Sequence, residues 1–443
     1  MKRFTLSCLV LLVAVFLCVS FAIAGEVDVL VNKLVEKGVL TQGEAQQMLT
    51  EAKEESRKEI AQGKNETLPK WLQTTKFSGD MRVRYQGEDH QTDETSVKHH
   101  RDRARFRLRY GFDMKPNDLM HVGFRMATGE NKQSSSSPYG VQGPEQTSTN
   151  QSFTNTFNNK WIWVDQAYVD YTPFGNKDIA ILKDMKLVGG KFPNPFYTTD
   201  MVWDPDTNPE GGYVQFNPQF GTVKPFLTFA YLPMGESETD SNDPAIAAIQ
   251  GGLSSTIMNR PYKIASAYYA FENIKGMTAT TYTGQFSPKI TNTLDGSLLK
   301  YGFNVLEFTG DFSPMDLNLL GNTMPLTILG NYAKNLAKGD IKNDTAWLAG
   351  LKLGKAKEKG TWEVFWNYRQ IGQDAVYSWI NDSDFHLGGT ASKGHKFGLT
   401  YAVMPNSTVS ATYYMTEPFR PDVIPSLDKR KINIIQLDWV TKF

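Results

Sequence analysis

The chain has 443 residues, and its 47 basic side chains are matched by 47 acidic ones. This balance excludes the strongly basic composition of a nucleic-acid-binding protein. Aromatic residues make up 12% of the chain, and no apolar stretch beyond the amino terminus is long enough to cross a bilayer as a helix.

The amino terminus has the pattern of a secretory signal. Lys2 and Arg3 precede an apolar run over residues 9–23, and the small-residue sequence Ala22-Ile23-Ala24 follows. We therefore predict a signal peptide over 1–24 and a mature chain that begins at Gly25. Both cysteines lie inside this signal, which excludes a disulfide, an iron–sulfur cluster and thiol catalysis in the mature chain.

A helical pattern follows the signal. Apolar residues recur at helical spacing from Val27 to Val35, and Thr41 with Glu44 forms a capping-box pattern that starts a second helix. We predict a periplasmic helical segment over 25–70. Two states are possible for this segment. It could associate with its copies as a coiled coil, which would be trimeric in a trimeric barrel, or it could be a solvated helix that packs on nothing.

From Lys76 onward the period changes to two. In residues 77–85 and 104–110, apolar and aromatic side chains alternate with charged ones, so that one face suits lipid and the other suits water. Residues 71–443 are therefore predicted to form an all-β, antiparallel transmembrane barrel of about sixteen strands. The predicted strands are 75–86, 101–114, 119–128, 160–172, 184–192, 211–217, 222–231, 262–271, 276–286, 299–310, 326–335, 345–354, 360–371, 395–404, 407–416 and 431–443.

The predicted connections alternate in length. Short ones include 115–118, 273–275 and 405–406, although two of that set, 172–183 and 311–325, are longer. Long ones include 129–160, 193–210, 232–261, 372–394 and 417–430. Barrels have short periplasmic turns and long extracellular loops in strict alternation, whereas a secreted β-rich sandwich has no reason to sort loops in this way.

The last predicted strand carries a further signal. Leu437, Trp439 and Phe443 share one face, with polar residues between them. An aromatic carboxyl-terminal strand of this kind resembles the sequence that the barrel insertion machinery of the outer membrane recognises.

These features together resemble the putative porin family of Gram-negative outer membranes, whose architecture is that of the general and phosphate-selective porins. The resemblance covers the mature chain and is carried by residues 37–41, by the stretch 188–196, by Trp203-Asp204-Pro205-Asp206 and by Glu210-Gly211. It implies a sixteen-stranded homotrimer whose third extracellular loop, here residues 193–210, folds into the lumen and narrows it.

Two charged sets are candidates for contact with the solute. The predicted basic lining of the pore consists of Arg82, Arg84, Arg103, Arg105, Arg107, Arg109, Arg125 and Lys191, and the predicted acidic residues of the constriction loop are Asp200, Asp204, Asp206 and Glu210. Guanidinium groups stay charged and repel one another, so a clustered row needs water or anions around it. Rings of Arg and Lys favour anions in pores.

The function predicted is passive diffusion of small polar or anionic solutes through a water-filled channel, without enzymatic activity, cofactor or metal. The alternatives are a substrate-specific channel for phosphate or another oxyanion and, from another class, a secreted β-rich protein without a pore. The expected partners are outer-membrane lipid and lipopolysaccharide, two further copies of the chain, the barrel insertion machinery and peptidoglycan, the last through the helical segment.

Overall fold

The computed structural model describes most of the chain from residue 70 to residue 443. Within that range the residues left undescribed are 92–97, 131–145, 155, 176, 178, 180–181, 237–241, 278–290, 320 and 421–429. Before residue 70 it describes only 31, 35, 37, 41, 43–48, 50–51 and 54. The predicted signal over 1–24 therefore lies outside the described residues, as does most of the segment 25–70.

The chain divides into two compact units, 1–73 and 74–443. In the first unit, residues 43–48 are helical. The Thr41 N–H donates to the Glu44 carboxylate at 2.9 Å, and the Glu44 N–H donates back to the Thr41 hydroxyl at 3.4 Å, which is the geometry of a capping box. Among the described residues, no helix is both long and apolar enough to span a bilayer.

The second unit is a sheet of sixteen long strands. They are β1 Lys76–Gln91, β2 Lys98–Asn117, β3 Met120–Thr128, β4 Ile162–Tyr171, β5 Lys186–Lys191, β6 Glu210–Phe216, β7 Lys224–Pro233, β8 Ala245–Ile257, β9 Arg260–Glu272, β10 Asn304–Leu319, β11 Asn322–Asn335, β12 Thr345–Gly354, β13 Trp362–Ile371, β14 Ser392–Met404, β15 Ser407–Pro418 and β16 Lys431–Lys442.

The sheet closes on itself. Each strand pairs antiparallel with the next, and β16 pairs with β1, so that Trp439 lies opposite Val83. Closure leaves no unpaired strand edge, which a bilayer requires because lipid cannot satisfy backbone polar groups. The prediction of an all-β antiparallel barrel of sixteen strands is confirmed.

Burial along the strands is reversed from that of a soluble protein. On β1, Arg84 and Gln86 are buried, whereas Val83 and Tyr85 are 45% and 42% exposed. The same contrast recurs around the wall, and large apolar side chains exposed on it include Phe229, Tyr231, Ile249, Ile264, Phe308, Ile328, Trp347, Leu351, Val364, Phe397, Leu399 and Leu437. Apolar side chains therefore cover the outer surface, and polar ones face the lumen.

One predicted loop is a strand. Residues 232–261 were expected to form a single connection, but β8 pairs along its length with both β7 and β9. Ala, Gly and Ser dominate its sequence, and these residues give a weak strand signal when no neighbour is known. The strand predicted over 276–286 falls mostly on residues outside the description, and residues 276–277 are not in a strand.

A second correction concerns residues 311–325, which were predicted to be a periplasmic connection. β10 and β11 instead form a long hairpin with only residues 320 and 321 between them. The pairing shifts between Phe312 and Met315, around Pro314. A bulge accommodates a proline, which has no N–H for the ladder, and the prolines misled the sequence-based prediction.

Most connections sort by length between the two ends of the barrel, and the long connection 172–185 at the end with tight turns is an exception. Residues 118–119, 258–259, 320–321 and 405–406 connect strands at one end, and 129–161, 192–209, 273–303 and 372–391 do so at the other. The end with tight turns is the periplasmic end of such a barrel. Counted along the chain, residues 192–209 are the third extracellular loop and residues 372–391 the seventh.

Candidate functional site in the barrel interior

The interior wall carries the arginine row. Asp80 lies opposite Arg109, and Arg82 lies opposite Arg107, in the ladder between β1 and β2. Directly opposite residues point to the same face of a sheet, so the charged side chains of both strands face the lumen. The predicted basic residues of these two strands therefore lie together on one part of the wall.

Most of these arginines bind a carboxylate. Arg84 makes a two-pronged contact with Asp438 of β16, at 2.7 and 2.8 Å. Arg107 and Arg109 share Asp80, at 2.7 and 2.8 Å. The remaining close pairs are Arg103 with Glu88 and Arg125 with Asp165. Acidic residues of the wall thus neutralise much of the row.

The third loop crosses the lumen. Its Thr198 hydroxyl donates to Glu307 of β10 at 2.6 Å, and Thr199 donates to Asn331 of β11 at 2.7 Å. Asp200 then reaches Arg369 of β13, at 3.0 Å. These contacts lie on strands far around the barrel from β5 and β6, where the loop begins and ends.

The acidic residues of the third loop have separate partners. Asp200 also accepts from Lys396 of β14 at 2.6 Å, and Asp206 lies 3.4 Å from Arg109 and 3.8 Å from Arg107. Asp204 accepts backbone N–H bonds, including one from Ser383 at 2.9 Å. Glu210, which was predicted to belong to the loop, is the first residue of β6; it binds Lys191 at 2.8 Å, and its side chain is 66% exposed.

The seventh loop packs on the third. The Asp204 N–H donates to the Ile380 carbonyl at 2.6 Å, and the Asp382 N–H donates to the Asp200 carbonyl at 2.9 Å. The carboxylate of Asp382 lies 3.1 Å from Arg369, and that of Asp384 lies 3.2 Å from Arg84. We call the two loops together, residues 192–209 and 372–391, the inner loop layer.

Apolar side chains pack the inner loop layer together and against the wall of the barrel. Met201 and Trp203 of the third loop and Trp379 and Phe385 of the seventh are at most 4% exposed. They belong to one buried cluster that also contains inward residues of the wall, among them Tyr269. Burying a large apolar side chain contributes roughly 1.5–3 kcal/mol, so the layer has a core of its own within the barrel.

Burial and neighbouring charges shift the loop carboxyls in opposite directions. Burial opposes the ionisation of Asp200, but Arg369 and Lys396 outweigh it and hold its pKa below the usual value. The pKa of Asp384 is lowered too, because Arg84 and nearby donors outweigh its burial. Burial together with the charges of Asp206 and Asp382 raises the pKa of Asp204 well above the usual value.

Several residues of this arrangement were not among the sequence candidates. Arg369, Lys396, Asp382, Asp384 and Glu307 all contact the inner loop layer or belong to it. The alternation of β13 and β14 places Arg369 and Lys396 on the inward face, and that signal was available. The aspartates of the seventh loop carry no such local signal, because a loop residue finds its partner only after the barrel closes.

The predicted insertion residues lie on the outer surface or at its edge. Leu437 and Trp439 point outward, with 45% and 56% of their surface exposed, and Phe443 is 63% exposed. The backbone of Phe443 exchanges hydrogen bonds with Gly79 of β1, at 2.8 and 3.0 Å.

A closed sixteen-stranded barrel with an apolar outer surface and a charged interior defines the class of outer-membrane channel proteins. Within that class, residues 88–302 and 316–443 match the family described as "Putative porin", and the chain belongs to this family. The protein is therefore a porin of the outer membrane. Its family and fold are those of a non-enzymatic channel.

One solved structure of an outer-membrane porin shares the fold. OprB of Pseudomonas putida, in a high-pH structure, superposes with a TM-score of 0.51 and 11% identity, over 84% of this chain and 94% of that one. The E1M, A104W mutant of the Rh. blastica porin gives a TM-score of 0.43 and 8% identity, over 83% of this chain and 100% of that one. No curated protein matches the chain in sequence.

Proposed function

We propose that this porin lets small polar solutes diffuse across the outer membrane with a preference for anions. The observation that carries the preference is a pair of arginines on the interior wall, the part-buried Arg82 and the buried Arg105. Arg82 donates to the Asn150 side chain at 2.6 Å, and Arg105 donates to Gln86 at 3.3 Å. The carboxylate nearest Arg105 is that of Glu130, at 3.9 Å.

These two cations are poorly neutralised by the protein. The Nε of each has no hydrogen-bond acceptor among the described residues. A guanidinium cannot lose its proton at any ordinary pH, and a charge removed from water is costly unless its hydrogen bonds and its ion pair are complete. An anion that passes along the wall would relieve this cost, whereas a cation would increase it.

The third loop is proposed to form the constriction through its carboxylates. Asp200 and Asp206 hold it to different parts of the wall, the first on β13 and β14 and the second on β2. Asp204 lies in the same loop, and Glu210 follows the loop as the first residue of β6. Solutes that pass beside the loop would meet acidic residues of the loop and basic residues of the wall across a narrow, poorly screened space.

Ion selectivity tests the proposal. The mature full-length chain is reconstituted in planar bilayers under a KCl gradient, and the zero-current potential is read. We expect an anion-selective potential in the wild type and a lower chloride-to-potassium permeability ratio after Arg82→Gln with Arg105→Gln. Arg260→Gln, at an exposed ion pair with Asp316, removes a like charge elsewhere and is the matched control. Cation selectivity in the wild type would overturn the preference.

The same arginine pair favours a second candidate, a channel specific for phosphate or a related oxyanion. Arg82 and Arg105 lie diagonally across the ladder between β1 and β2, in which Arg82 is opposite Arg107 and Arg84 is opposite Arg105. Guanidinium groups suit a tetrahedral oxyanion because they donate in fixed, planar geometry. In this case the phosphate conductance would saturate as concentration rises, while the chloride conductance would continue to increase. A linear rise for both ions favours general diffusion.

We also propose that the channel is a homotrimer surrounded by outer-membrane lipid and lipopolysaccharide, with its helical segment 25–70 in the periplasm. The apolar outer wall and the family support the location, and the Thr41–Glu44 capping box supports a helix. The helical segment would associate with its copies or contact peptidoglycan. At the other end of the chain, the barrel insertion machinery would recognise Leu437, Trp439 and Phe443. The mass of the detergent-extracted chain by light scattering tests the trimer.

A further inference from the structure

A pocket lies on the interior wall beneath the third loop. Its volume is about 530 Å³, and strands β6 to β9 together with loop residues 195–197 line it. Lys224 lies opposite Ser254, and Ser254 lies opposite Lys263, so the three side chains share one face across β7, β8 and β9. This face is the inner one, because the neighbouring Ile264 is 49% exposed on the outside.

The third loop fixes the roof of the pocket. The Tyr197 N–H donates to the Gln250 side-chain carbonyl at 2.7 Å, and the Gln250 amide donates to the Tyr197 carbonyl at 3.0 Å. The Tyr197 hydroxyl donates to Asp311. Three contacts from two different strands therefore hold the tyrosine ring in place without a ligand.

The ammonium group of Lys263 is held between two rings. Its Nζ lies 4.1 Å from the centroid of Tyr197 and 5.0 Å from that of Phe226. Cation–π contacts orient the ammonium group but accept none of its N–H bonds in the way an oxygen does. Among the described residues, neither Lys263 nor Lys224 has a carboxylate within 4.0 Å.

The lining indicates one ligand chemistry. Two ammonium groups, with the hydroxyl of Ser254 between them, suit a carboxylate that accepts from both sides. Asp311 lies opposite Lys263 in the ladder between β9 and β10 and accepts from the Tyr197 hydroxyl, so it offsets only part of this positive charge. Pro195, Phe196 and Phe226 supply apolar surface beside the charges. The volume is within the range of sites for small organic molecules, about 300–1,000 Å³.

We propose that this pocket is a binding subsite for small organic anions that carry a carboxylate on a planar, apolar body. The proposal rests on the channel function proposed above and adds to it a solute class and a place on the path. A solute that enters from outside would pass the inner loop layer and bind here, above the periplasmic turn at 217–223. Binding would make its transport saturable.

Block of single-channel current tests the subsite. The reconstituted full-length channel conducts KCl, and sodium benzoate is added from the periplasmic side, with benzyl alcohol as the neutral probe of matched shape. We expect benzoate to reduce the current in a concentration-dependent, saturating way and benzyl alcohol to have little effect. Lys263→Gln should raise the half-blocking concentration about tenfold, as expected for loss of a hydrogen bond to a charged group.

Two variants keep the result interpretable. Lys186→Gln removes the same charge at the same end of the barrel, but Lys186 lies outside the pocket and binds Asp170 at 2.9 Å, so it should leave the benzoate block unchanged. Lys263→Arg keeps the charge and should keep the block. Heat-modified gel mobility confirms that each variant is folded.

The outcomes separate the two proposals. If the wild type conducts no ions at all, the channel function itself fails. If it conducts KCl but benzoate does not block, or if Lys263→Gln and Lys186→Gln behave alike, the subsite is wrong and the channel stands. Equal block by benzyl alcohol would show apolar adsorption and overturn the assignment of an anion.

Discussion

Arg369 is a fully buried cation, and its surroundings explain how this barrel tolerates charge in its interior. Its guanidinium lies 3.0 Å from Asp200 and 3.1 Å from Asp382, and 4.3 Å above the Phe385 ring. One wall residue thus holds both loops of the inner loop layer. Burying a charge is costly unless it is paired, so the two aspartates and the arginine depend on one another.

Replacing Arg369 tests this dependence. Arg369→Ala leaves Asp200 and Asp382 with Lys396 as their remaining cation, at 2.6 and 3.7 Å, and we expect it to lower the free energy of unfolding by about 3 kcal/mol. The matched change is Arg260→Ala, which breaks a 2.7 Å pair whose side chains are 37% and 42% exposed. Exposed pairs contribute about 1 kcal/mol or less. Denaturant titration in detergent measures both, and equal losses would contradict the linking role of Arg369.

At the scale of the strand and the loop, the sequence predicts those features that follow from the alternation of apolar and polar residues. The arginine row, most of the strands and the long loops follow from local patterns, because a period of two needs only neighbouring residues. β8 was missed because its ladder partners supply most of what stabilises it, and they are absent from its own sequence. The partner of Arg84 could not be assigned either, because Asp438 lies 354 residues away and only closure brings the two together.

The inner loop layer should loosen as the pH rises. Burial and the charges of Asp206 and Asp382 raise the pKa of Asp204 in the folded protein above its value in the unfolded chain. The contribution of Asp204 to stability is therefore fully present below the unfolded pKa and is lost as the pH rises through the folded one. Ionised Asp204 would then face two further carboxylates within the layer.

Hydrogen exchange measures this loosening at Asp382, whose N–H donates to the Asp200 carbonyl of the other loop at 2.9 Å. From about pH 5 to about pH 9 we expect its protection to fall after correction for the intrinsic pH dependence of exchange. Asp204→Ser keeps an acceptor oxygen and removes the titrating group, so its protection should not depend on pH in this way. Constant protection in the wild type would contradict the role given to Asp204.

At the scale of the whole molecule, closure of the barrel pairs its first strand with its last. β1 pairs with β16 from Asp80 opposite Lys442 to Gln91 opposite Lys431. Arg84 and Asp438 add an ion pair across the same seam. At its edge, Gly79 is the residue against which the Phe443 ring packs: a Cβ at this position would lie 2.7 Å from that ring. The last residues of the chain therefore complete the wall and present aromatic surface at its rim.

Phe443→Ala tests whether the Phe443 ring is needed for insertion of the barrel or for its conductance once it has formed. The backbone bonds between Phe443 and Gly79 do not need the ring, so barrels that form should conduct as the wild type does. If the ring is part of the insertion signal, the amount of folded barrel in the outer membrane should fall several-fold. Phe77→Ala is the matched control, because Phe77 is a 76% exposed phenylalanine near the start of β1, close to the same seam. Heat-modifiable protein in membrane fractions gives the yield, and single-channel recording gives the conductance. Equal yields from the two variants would show that Phe443 acts only as one more residue of the lipid-facing surface.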